Sequence, residues 1–331
     1  MKNKLRILVL VFILASCVST LSQDTNQPTT EEITTTKDEI PAATADQTEE
    51  SEDATPTSSP IQGGKIVFES GDEGMLGDLY VMNEDGSELT KLLDSGDYGY
   101  QHFGYPDWSP DGSQIVFSGL IPPWEILIAN ADGSGLHKIE GTTNGMYPDW
   151  SPDGQKIAFS IWNESSDIYT INIDGTGLQK IASSDANEID PSWSPDGSEI
   201  VFYSYQSEDD SELYVMNADG MNIVQLTDND KDDWLPSWSP TGNEIVYLYG
   251  RGEEDYIELR VYNLDDSHES QYTTELAYPD FSASPGASWA PNGENIAFVS
   301  NGRIYTIHFS GGIIFKEVYS GKEFTGYPSW K

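Results

Sequence analysis

A seven-residue string returns along this chain at almost constant intervals, and it limits the possible folds more than any other feature. PDWSPDG stands at 106–112 and at 148–154, PSWSPDG at 191–197 and PSWSPTG at 236–242. ASWAPNG at 287–293 is a worn copy, and the chain ends in PSWK at 328–331. The tryptophans Trp108, Trp150, Trp193, Trp238, Trp289 and Trp330 are 42, 43, 45, 51 and 41 residues apart. A repeat of that length matches one four-stranded blade of a β-propeller. In Ser-Pro-Asp-Gly, proline presets φ at the second turn position and glycine suits the last, so each string is a tight turn between antiparallel strands.

The residues between the turns read as strands. An apolar run follows each turn: IVFS at 115–118, IAFS at 157–160, IVFY at 200–203, IVYL at 245–248 and IAFV at 296–299. A third strand comes next, as in EILIAN at 125–130, DIYTIN at 167–172 and ELYVMN at 212–217. These three runs lead into an Asn-x-Asp-Gly hairpin, and a short outer strand such as LHKIE at 136–140 completes the blade. The first repeat begins at KIVFE, 65–69, without a tryptophan strand, while the last ends with a surplus one at Trp330. The reading is an all-β chain, a six-bladed propeller of four-stranded antiparallel blades over 64–331. Its first blade is closed by the C-terminal strand, which removes two open sheet edges.

Residues 1–17, MKNKLRILVLVFILASC, form an address rather than part of the fold. Lys2, Lys4 and Arg6 precede an apolar run, Ile7 to Leu14, too short to span a bilayer. Leu14-Ala15-Ser16-Cys17 resembles a bacterial lipobox, which implies cleavage before Cys17 and a lipid on its thiol. Cys17 is the sole cysteine, so no intramolecular disulfide is available to it. Residues 18–63 are rich in Thr, Ser, Pro, Asp and Glu and are expected to form a disordered acidic tether. As a flexible chain it would span roughly 35–40 Å.

The net charge is −40, from 16 Lys+Arg against 56 Asp+Glu. Phosphate backbones require clustered cations, so nucleic acid is excluded as a partner. Membrane contact is expected only through the N-terminal lipid. The acidity suits cations or a basic partner, or serves only to keep an extracytoplasmic protein soluble.

The pattern PxWSPDG…I-x-F…Y-x-x-N-x-DG resembles the TolB-type, WD-repeat-like β-propeller repeat family over residues 64–331. That resemblance implies a bacterial envelope protein with a protein partner bound at the mouth of the central channel. TolB-type proteins carry an α/β domain ahead of the propeller, which the tether here does not resemble.

Motif residues read as turn and wedge residues, so functional candidates lie in the loops leading into each inner strand. For partner binding at the mouth these are Tyr100, His102, Tyr147, Asp190, Asp233, Trp234, Tyr278 and Phe324. Aromatics beside acids suit an envelope or extracellular protein or peptide, especially a basic one. Asp228, Asp230 and Asp232 alternate as oxygen ligands of Ca²⁺ can, yet the glycine and glutamate of an EF-hand are missing. A monomer without cofactor is expected.

No catalytic constellation is visible. The histidines His102, His137, His268 and His308 show no metal-ligand spacing, and no G-x-S-x-G elbow occurs. The reading is a lipid-anchored, non-catalytic binding or scaffold module. Its rival is a Ca²⁺-dependent hydrolase of phosphate esters or polysaccharide, for which the mouth loops offer only Lys231 and Lys322 as phosphate-binding cations.

Overall fold

Apolar runs bounded by Pro-Asp-Gly turns pair with their sequence neighbours, and in a computed structural model of the chain they do so six times. The structure describes residues 64–71, 77–182, 184–206, 210–250, 256–271, 276–277, 286–308, 314–320 and 324–331. The expectations for residues 1–17 and 18–63, Cys17 included, lie outside these. The described residues all belong to one unit, Ser58–Lys331. Apart from one 3₁₀ turn at Ser95–Tyr98, their regular structure is all strand.

Each of the six sheets is one blade. Blade 2 shows the plan, with an inner strand His102–Trp108, a second Gln114–Leu120, a third Trp124–Asn130 and a two-residue outer strand His137–Lys138. Blades 3 and 4 repeat it from Gly145–Trp150 and from Asn187–Trp193, and blades 5 and 6 from Asp232–Trp238 and Ala287–Trp289. Blade 5 gains one extra pairing, from Leu276–Ala277 to Tyr256–Asn263.

Blade 1 is assembled from both ends of the propeller. Its inner strand is Phe324–Trp330, which pairs antiparallel with Lys65–Gly71, placing Ile66 opposite Trp330 and Gly71 opposite Phe324. Backbone hydrogen bonds between Lys65 and Lys331 fasten the end of the pairing. The expected closure is therefore observed.

The turns take the expected form. In the first, Gly112 N–H donates to Ser109 O at 2.8 Å, with Gly112 at φ +69°. The Ser109 hydroxyl donates to Asp111 at 2.7 Å and accepts from Gln114 N–H at 2.9 Å.

The core lies between blades. One cluster joins Val67 and Leu79 of blade 1 to Phe103, Trp108, Ile115 and Phe117 of blade 2. The next joins Val116 and Ile128 of blade 2 to Trp150, Ile157 and Phe159 of blade 3. Each sheet is thus covered on both faces. The second strands are buried at successive positions: Ile115, Val116, Phe117 and Ser118 are all inaccessible. Burying one such large apolar side chain contributes about 1.5–3 kcal/mol.

Candidate functional site

Every inner strand except that of blade 6 carries a Pro two residues before its Trp. Proline has no N–H to donate, so within a sheet it belongs on an edge or at a bulge. The inner strands are edges, and their ladders slip at this point. Pairing jumps between Gly104 and Asp107, Met146 and Asp149, Ile189 and Ser192, and Trp234 and Ser237. Blade 1 shifts equivalently, between Gly326 and Ser329. A bulge re-aims a side chain. Here the residue before each proline takes a left-handed conformation: Tyr105 at φ 57°, Tyr147 at 56°, Asp190 at 57°, Leu235 at 54° and Tyr327 at 44°. These five, with Gly286 of blade 6, ring the axial channel. A left-handed non-glycine residue costs roughly 1–2 kcal/mol, so the fold sustains this strain at five of six blades.

The residues just before the inner-strand tryptophans stitch the ring together. Asp107 accepts from Trp150 N–H at 2.9 Å, and Asp149 from Trp193 N–H at 2.7 Å. Ser192 accepts from Trp238 N–H at 3.2 Å, Ser288 from Trp330 N–H at 3.3 Å and Ser329 from Trp108 N–H at 3.4 Å. The Ser329 hydroxyl also donates to Asp107 at 2.9 Å, across the closure. The Asp or Ser of the repeated string thus binds one blade to the next.

The geometry of the ring repeats, but its chemistry does not. Tyr105, Tyr147 and Tyr327 crowd one side of the channel, with ring centres 4.3 Å apart for Tyr105–Tyr147 and 4.4 Å for Tyr105–Tyr327. Trp124 lies 5.8 Å from Tyr105, and His102 meets Trp124 edge-on at 5.5 Å. His102 Nδ1 accepts from Gly77 N–H at 2.8 Å, which leaves Nε2 as the protonated nitrogen of the neutral ring. Nε2 lies 3.4 Å from Glu69 Oε2, which also accepts from Tyr105 N–H at 3.2 Å. Gly104 makes this approach possible, because a Cβ there would stand 2.1 Å from Glu69 Oε2.

Asp190 holds the opposite chemistry in the same ring. Enclosure by the channel walls pushes its carboxyl up to about 8. Burial also raises Asp107, to about 6. Asp149 is raised further, by burial first and then by the Asp107 charge. The waist of the channel holds about 90 Å³, well below the 300–1,000 Å³ of an ordinary small-molecule site. It has room for a few waters, so contact with a larger ligand falls to the rim.

The structure brings Tyr147 and Asp190 together in the channel, with His102 one ring away through Trp124. Tyr100 instead turns into blade 2, packing against Phe103 at 5.1 Å with its hydroxyl donating to Glu125 at 3.4 Å. Asp233, expected on the mouth surface, is fully buried, where it accepts from the Asn229 side chain at 2.8 Å. Trp234 is partly buried against the cluster shared by blades 5 and 6. Tyr278 and the Phe324 side chain lie outside the described residues. Asp228 and Asp230 are exposed, while Asp232 accepts from Ser211 N–H at 3.0 Å. Among the described residues, no group of three or more His, Cys, Asp or Glu is placed to hold a metal ion. Glu69 and Trp124 were missed by sequence reasoning. Glu69 stands where blades 2 and 3 have Ser118 and Ser160, and that irregularity was its one signal.

The family model described as TolB beta propeller domain matches residues 125–330. No curated protein matches the chain. Among solved structures, TolB from Acinetobacter baumannii is similar at a TM-score of 0.65 and 18% identity, covering 81% of this chain and 66% of that one. A putative TolB from Agrobacterium tumefaciens gives 0.50 and 19%, over 63% of this chain and 87% of that one. A chain from the nidogen/laminin complex gives 0.62 and 11%, over 81% and 98%. At these identities the structures speak for the fold alone, and this chain spans just under two thirds of the Acinetobacter protein. With more than half of its length matched by the family model, the chain belongs to the TolB β-propeller family.

Proposed function

We propose that this propeller is a non-catalytic binding module that receives a protein partner at the channel rim. One observation carries the reading. Five strained backbone positions are held alike around the axis, yet they present Tyr, Tyr, Asp, Leu and Tyr. Strain sustained by a whole fold and combined with varied side chains is the mark of a recognition surface. Around the channel the partly exposed Tyr105, Trp124, Tyr147 and Tyr327 offer aromatic faces beside the carboxyl of Asp190. Such a set suits a peptide segment carrying apolar and basic side chains. Membership of the TolB β-propeller family supports the same reading. The lipobox reading adds an anchor at Cys17, and the module then works outside the cytoplasm at the end of its tether.

Immobilised wild-type protein should retain a partner from solubilised envelope proteins that a Tyr105→Ala/Trp124→Ala variant releases, both melting cooperatively. Equal recovery by the two proteins contradicts the rim. The anchor has its own test: Cys17→Ser should move the protein from the membrane to the soluble fraction, and an unchanged distribution argues against lipidation.

A further inference from the structure

A charged residue stands within the first three positions of the third strand of each blade, and in blades 1 to 3 a lysine on the outer strand pairs with it. Lys91 meets Asp78 at 2.7 Å, Lys138 meets Glu125 at 2.7 Å and Lys180 meets Asp167 at 2.8 Å. The register is the same each time, with the lysine opposite the residue two places after the acid: Tyr80, Leu127 and Tyr169. Blade 5 covers Glu258 with Arg260 at 2.8 Å. Blade 6 reverses the signs, Arg303 meeting Glu317 at 2.8 Å.

Blade 4 has the acid and lacks the cation. Glu212 opens its third strand, and Gln225 stands opposite Tyr214, where the lysine belongs. The Gln225 amide donates to Thr227 O at 2.8 Å instead. Glu212 is only 7% exposed; Oε1 accepts from Asn229 N–H at 2.9 Å, and the carboxyl also shares a hydrogen bond with the Asp233 carboxyl, with no described Lys, Arg or His paired to it. Glu188, 3% exposed, has an Oε2 without a partner.

Both glutamates line a cleft of about 610 Å³. Asp210 and Asp228 add carboxylates to its wall, Tyr205, Tyr214 and Ile223 add apolar surface, and its described lining holds no Lys, Arg or His. Burying a carboxylate without a cation is costly. The cost shows in the upward displacement of Glu212, from burial first and the Asp228 charge after it, and of its neighbour Asp233 to about 8, again from burial first.

We propose that the blade 4 cleft binds an alkylammonium group from outside, the charge that blades 1 to 3 supply with their own lysine. The ammonium would sit over Glu212 and Glu188, with its aliphatic stem along Tyr214 and Ile223, as lysine stems lie on apolar surface elsewhere. The group has two possible sources, a lysine side chain of a basic peptide or a free polyamine. The inference stands apart from the channel rim and does not depend on it.

Titration calorimetry at low ionic strength tests it with spermidine, with the blocked peptide acetyl-Ala-Lys-Ala-amide and with CaCl₂. Wild-type protein should bind spermidine or the peptide saturably at one site. Gln225→Lys, which restores the residue of blades 1 to 3 at an exposed position, should fold normally and weaken that binding at least tenfold; Glu212→Gln should weaken it similarly. Binding of the peptide alone assigns a lysine-bearing partner, and binding of spermidine alone assigns a polyamine; both support the site. The Tyr105→Ala/Trp124→Ala variant should bind as wild type, so failure at the rim leaves this result intact. Equal binding by wild type and Gln225→Lys would reduce the effect to attraction by the net charge and overturn the proposal. So would a one-site response to Ca²⁺ with none to either amine.

Discussion

Asp190 is a residue whose ionisation bears on this ring. Its carboxyl is raised to about 8 in the folded protein, from an ordinary 3.8. A group raised on folding adds stability below its unfolded pKa, and that contribution is lost as pH rises through the folded value. Asp107, raised to about 6, acts in the same direction. The turn aspartates oppose them. Asp111, Asp153 and Asp196 are lowered by hydrogen bonds from Ser113, Ser151 and Ser198 among others, so their support fades only at acid pH. The melting temperature should therefore fall as pH rises from about 4 to 8, and Asp190→Asn should flatten the slope over that range. Melting curves across that range check this; identical slopes would place the Asp190 carboxyl in ordinary solvent. None of this was legible in the sequence. There Asp190 is one acid among the mouth-loop candidates, and its enclosure comes from residues of the other blades.

At the scale of the element, strand order and turn chemistry were readable because each depends on neighbours in sequence. Ser109, Pro110, Asp111 and Gly112 specify their own turn, and the Trp spacing sets the blade length. The bulge was not readable. Pro106, Pro148 and Pro191 mark where each ladder breaks, but whether the preceding side chain turns toward the axis depends on packing around the whole ring. The second role of the repeated string was hidden for the same reason. Asp149 was read as a turn-flanking structural residue, and it is structural, but its partner is Trp193 N–H on the adjacent blade. Asp149→Ala should leave that buried donor unsatisfied and cost about 1–3 kcal/mol. Asp149→Ser, the residue blades 1, 4, 5 and 6 use at this position, should cost less than half as much. Urea unfolding of the two variants measures the difference, and equal costs would mean that the stitch does not bear on stability.

For the molecule as a whole, closure was foreseen from a deficit at one end and a surplus at the other, a comparison the repeat allows without any structure. The proposed sites were harder to see because they lie where the repeat departs from itself: Gln225 in place of lysine, and the varied residues of the axial ring. The most direct test of the closed ring is removal of residues 327–331. That deletion takes away Tyr327 from the aromatic side of the channel, the Ser329 link to Asp107 and Trp108, and the Trp330 wedge that packs with Ile66 and Phe68. Thermal melting of the truncated and intact proteins, with amide exchange followed along Lys65–Gly71, gives the answer. A closed ring predicts a melting temperature lower by about 10 °C or more, with protection lost along Lys65–Gly71. Coincident melts with protection retained there would contradict it.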